Sequence, residues 1–109
     1  MAPRAKQGNK LVLIKTEDVE YHLRCALGTK AIYREEVWED ESGRVVKYNL
    51  AFIHFGVCQR DHGRMLGYDN AHGHHERHFM GEAHEVEYVS YDVTLRKFHE
   101  EVRHYRETT

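Results

Sequence analysis

The chain has 109 residues, enough for one domain with its own core and too few for two. Apolar residues make up 40% and charged residues 31%, which excludes a disordered chain, and no apolar run nears the roughly 20 residues of a membrane span. With 16 Lys and Arg against 18 Asp and Glu the formal charge is −2, unlike the strongly basic balance of a constitutive nucleic-acid binder, and 10 histidines make that charge sensitive to pH.

Cys25 and Cys58 form no close pair, so a disulfide scaffold is not expected; both suit small buried hydrophobes in a reducing cytoplasm. Residues 1–9 show no periodicity and read as a flexible arm, with a single domain over 10–109. The apolar run Leu11–Ile14 is too short for a signal peptide, so the expected location is the cytoplasm, away from membranes.

Leu11–Lys15 reads as a short strand. Asp18–Ala26 alternates, with Val19, Tyr21, Leu23 and Cys25 on one face, as a half-buried strand does, although its helix formers also allow a helix. Gly28-Thr29-Lys30 reads as a turn. Ala31–Glu39 carries strand-forming aromatic and β-branched residues, and Asp40–Gly43 is a polar turn. Arg44–Gly56 is the longest apolar strand and is placed at the sheet centre, so that 31–56 forms a hairpin. Trp38 is expected in the core, as is usual for a large aromatic, and His54 as a satisfied structural histidine. A turn at Gln59–Gly63 leads into a short strand, Arg64–Asp69, and His84–Val89 alternates again. Ser90, Tyr91 and Asp92 offer capping groups. Leu95, Phe98, Val102 and Tyr105 then recur on one helical face, which predicts a helix over 92–106 with His99 and His104 toward solvent. Strands followed by one amphipathic helix predict an α+β domain: an antiparallel sheet of about five strands covered on one face by a C-terminal α-helix.

The most polar stretch is Tyr68 to His78, Tyr-Asp-Asn-Ala-His-Gly-His-His-Glu-Arg-His. Imidazoles exchange protons near neutral pH, and a guanidinium matches two phosphate oxygens. Histidines with an arginine and a carboxylate suffice for metal-free cleavage of RNA through its 2′-hydroxyl. Asp69, His75, Arg77 and His78 are the candidate catalytic residues, with Tyr68, Asn70, Arg60 and Arg64 as candidate substrate contacts and His62 as added charge nearby. Asp69 and Asn70 also suit a turn, and Tyr68 the interior.

Metal binding is the alternative. His72, His74 and His78 could hold Zn or Ni, whereas the metal-free scheme needs no cofactor. There is no HExxH and no Cys pair. In an extended segment His72, His74, Glu76 and His78 point one way and His75 and Arg77 the other; on a helix His74 and His78 would pair instead. A third reading is an interaction module in which the histidines are incidental.

Trp38 after a strand, Lys47-Tyr48 opening the long strand, Tyr68-Asp69-Asn70, a Gly-His loop ending in Arg77-His78, and a helix bearing Phe98 together resemble the TumE family of small prokaryotic proteins. The resemblance spans Tyr33 to Tyr105, and the family motif falls on Tyr68, Asp69, Asn70, Gly73, His75, Arg77 and His78. It implies the toxin of a type II toxin–antitoxin system, cytoplasmic growth inhibition and a helix-turn-helix antitoxin partner. It does not settle the chemistry; the His and Arg content of the loop makes a metal-independent endoribonuclease the expected activity, with room for a homodimer.

Overall fold

Among the described residues, six strands form one antiparallel sheet in simple sequence order, and a single α-helix packs across it. The computed structural model describes residues 11–109; the N-terminal arm expected over 1–9 lies outside them. The strands are β1 (Ile14–Arg24), β2 (Lys30–Glu39), β3 (Val45–Ile53), β4 (Arg64–Asp69), β5 (Glu76–Phe79) and β6 (Glu82–Glu85), and the helix is α1 (Tyr91–Thr108). The two short strands expected near the N-terminus are one, with the pairing register slipping between Lys15 and Glu17. The β2–β3 hairpin is as expected, and β3 and β4 form the centre of the sheet. Among the described residues no helix is long and apolar enough to cross a membrane.

Two corrections concern the sixth strand and Trp38. The strand expected at 84–89 lies at Glu82–Glu85, and its partner β5 is the end of the His-rich stretch itself. Met80 and Gly81, both at positive φ, make the two-residue turn between them, a conformation whose twist matches that of paired strands. Trp38 is only half-buried and lies outside the core. It shares a face with Arg34 and Glu36, opposite Tyr33 and Val37, because side chains alternate along a strand.

The core lies between the sheet and α1. Tyr33, Tyr48, Leu50, Phe52, Leu66 and Tyr68 rise from the sheet to meet Phe98 and Val102 of the helix. Ser90 Oγ accepts from Val93 N at 3.2 Å and caps the first turn, where free N–H groups need a partner. Both cysteines are buried, and His54 is buried with its Nε2 2.9 Å from Thr29 Oγ1. His99 and His104 are exposed, although His99 Nε2 also meets the Tyr33 hydroxyl at 2.8 Å. The helix thus covers one sheet face, and among the described residues the other stays open.

Candidate functional site

The alternation of β4 and β5 divides the polar stretch between the two faces. On the open face, cross-strand pairing sets Glu36 beside Asn49, Asn49 beside Asp69 and Asp69 beside Glu76 in one row. In the next row Ala51 lies beside Gly67, and Gly67 beside His78.

Arg64 joins these groups. Its Nη1 donates to Asp69 Oδ2 at 3.0 Å and to Asn49 Oδ1 at 3.3 Å, its Nε to Asp61 Oδ2 at 2.8 Å, and its Nη2 to His78 Nδ1 at 2.9 Å. Because guanidinium only donates, His78 Nδ1 accepts and the ring carries its proton on Nε2. That Nε2 is 3.1 Å from Asp69 Oδ2 and 3.5 Å from Glu76 Oε1, yet it is buried and has no aligned hydrogen-bond partner among the described residues. Gly67 makes room for Arg64 to cross the strand: a Cβ there would meet Arg64 Cδ and the backbone oxygen of Leu50 at 2.6 Å each. Gly67→Ala is therefore expected to destabilise the protein by about 1–3 kcal/mol in urea unfolding, the usual cost of overpacking. An unchanged midpoint would mean that the strands separate freely.

The open face forms a groove of about 610 Å³ lined by Arg34, Trp38, Lys47, Asn49, Arg64, Asp69, His72 and His78 among others. The ammonium groups of Lys15 and Lys47 lie 4.9 and 4.6 Å from the Trp38 ring centroid. His72 is exposed, and its Nδ1 is 3.5 Å from Glu76 Oε1. His74 Nε2 lies 2.7 Å from Glu76 Oε2. The His74 contact, with His72 behind it, holds the Glu76 carboxyl below the usual carboxylate range.

His75 and Arg77 occupy the opposite face. The His75 ring stacks on Tyr88 at 3.6 Å and its Nδ1 meets the Tyr48 hydroxyl at 2.8 Å. Burial, with His74 nearby, lowers its pKa and favours the neutral ring. Arg77 forks onto Glu101 of α1, with Nε and Nη2 donating to Oε2 at 3.1 and 2.6 Å. Burial opposes the Arg77 charge, but Glu101 outweighs it and raises the pKa above its ordinary value. Tyr68 donates to Glu101 Oε1 at 2.6 Å; burial and that bond push its phenol up to about 12. Thus Tyr68 and Arg77 tie β4 and β5 to the helix.

The remaining predicted residues hold backbone in place. Asn70 donates to Val46 O at 2.8 Å and accepts from Tyr48 N at 3.1 Å, while Asp69 Oδ1 accepts from Ala71 N at 3.2 Å, so the expected turn-forming role is present. Arg60 donates to Gly81 O at 3.3 Å and supports the β5–β6 turn. The structure therefore unites Asp69, His78 and Arg64, and separates them from His75 and Arg77. Sequence reasoning did not single out Glu76, Asp61, Asn49 or Lys47 as site residues; the period-two phase shared by Glu76 and His78 was the available signal for the first.

The family model described as Toxin TumE matches residues 6–106. No curated protein and no solved structure matches the chain. A family of toxins implies an antitoxin partner, and the match takes in every strand and nearly all of the helix described above. The chain belongs to the TumE toxin family.

Proposed function

We propose that this toxin acts on RNA, as an endoribonuclease, on the open face of its sheet. The observation that carries the reading is one groove that holds the Trp38 indole with Lys47, Arg34 and Arg64 and with the carboxylate and imidazole groups of Asp69, His72 and His78, while Lys15 flanks the ring. An aromatic face accepts any base, and cations beside it neutralise the backbone, the two requirements for holding a single strand. Trp38 then takes a base and Lys47 a phosphate. Attack by the 2′-hydroxyl on the adjacent phosphorus makes a cyclic 2′,3′-phosphate and releases a 5′-hydroxyl. The nucleophile's proton must leave and the leaving oxygen must gain one, which is work for imidazole and carboxylate groups. His72 presents an exposed ring, whereas the buried Nε2 of His78 acts through its neighbours. The partner in this reading is a helix-turn-helix antitoxin and the location is the cytoplasm.

Trp38 is the chain's single tryptophan, so its fluorescence reports directly on the groove. Titrating purified protein with single-stranded RNA should change that fluorescence, and the change should weaken with added salt. Removing the ring in Trp38→Ala should cost about 1–3 kcal/mol of RNA binding, read by electrophoretic shift. Unchanged fluorescence at saturating RNA, with RNA left intact by folded protein, would sink the reading.

A further inference from the structure

Asp69 and Glu76 sit directly opposite each other on neighbouring strands, where like charges repel. Arg64 answers Asp69 only, and His74 and His72 answer Glu76 from the outer side. Between the two carboxylates points His78 Nε2, in a residue only 8% exposed and without an aligned partner. A ligand atom from each of the three residues lies within 4.8 Å of the others. The separations of 3.1 and 3.5 Å from Nε2 to the carboxylates bracket the edge of a tetrahedron with metal bonds of about 2.1 Å, which is about 3.4 Å.

We infer that Asp69, Glu76 and His78 form a binding site for a first-row divalent cation. A metal there replaces carboxylate repulsion by attraction to both sides and gives the buried Nε2 a partner. The imidazole ligand favours Zn²⁺ over Mg²⁺, while the two carboxylates also suit Mn²⁺. Binding moves the ring proton to Nδ1, which turns from Arg64 toward Asp61 Oδ2, 3.5 Å away. Asp61 thereby becomes the outer carboxylate that orients the ligand, as metal-bound histidines commonly require. Three ligands leave a fourth tetrahedral position for water or a phosphodiester oxygen, and two of them, Asp69 and His78, line the groove. The site differs from the expected His72, His74 and His78 set in two of its three ligands. Its role beside a phosphate rests on the RNA reading; the binding of metal does not.

Calorimetric titration of untagged, chelator-stripped protein with Zn²⁺ and Mn²⁺ tests the site. One ion per chain is expected. Glu76→Gln should weaken binding by about tenfold or more, and Asp61→Asn by about tenfold through the lost orientation. His78→Gln should remove binding, with circular dichroism confirming the fold. The doubly substituted His72→Ala, His74→Ala protein should retain it. Loss of binding in that double variant, or unchanged affinity in Glu76→Gln, would assign the metal to the exposed histidines and overturn the site. The same preparations, with and without EDTA, are then given RNA. Metal binding without cleavage in either state removes the RNA reading and leaves the site standing. Cleavage by protein that binds no metal does the reverse.

Discussion

Arg64→Ala is expected to lower the unfolding free energy by about 3–5 kcal/mol, measured by urea denaturation, because it strips the cation from the buried Asp69 carboxylate and the half-buried Asp61. The Arg64 and Asp69 side chains are only 14% and 9% exposed, so water screens little of the loss. Asp61, Asn49 and His78 Nδ1 lose their donors in the same step. Arg64→Lys keeps the charge but offers one ammonium in place of a planar fork, and should recover only part of the stability. A loss under about 1 kcal/mol for the alanine variant would show that the network behaves as a solvated surface cluster. Asp69→Asn made together with Arg64→Ala should be milder than Arg64→Ala alone, since it removes the stranded charge.

Phe98→Ala should be comparably severe, at about 3–5 kcal/mol. Phe98 is fully buried, with its ring centroid 5.5 Å from that of Tyr33 and 6.3 Å from that of Tyr68. Truncation opens a cavity at the contact that holds the helix to the sheet, where neighbouring rings cannot collapse far without leaving their strands. For a domain whose total stability is typically 5–15 kcal/mol, either change removes a large share. The two differ in their second effect. Phe98→Ala should loosen α1 and expose its amides to hydrogen exchange, whereas Arg64→Ala should leave helix exchange closer to native and disturb the open face. Unchanged protection of the helix amides in Phe98→Ala would place the anchoring elsewhere.

The β4 strand was legible at both ends because an apolar-leaning run lay between Gly63 and Asp69-Asn70. The helix was legible because its apolar spacing and its Ser90 cap agree, and the observed span exceeds the predicted one by only a residue or two at each end. The β5–β6 hairpin was not. Glu-Arg-His-Phe lacks the composition of a strand, and its Met80-Gly81 turn lacks the usual Asn-Gly signal. Trp38 was misplaced because residue type was weighed above phase, and phase was the better guide.

By itself, the sequence determined the α+β class, the amphipathic helix, the central hairpin and the polar stretch that turns between β4 and β5, since each follows from local periodicity and turn chemistry. Period two even separated His75 and Arg77 from Glu76 and His78, whichever way the strand faced. Only the tertiary structure decided which of those pairs the helix would cover, because that depends on where Phe98 finds its partners. It alone also brought Arg64, Asn49, Asp69 and His78 together, since their convergence follows from strand register across β3, β4 and β5 rather than from any spacing along the chain.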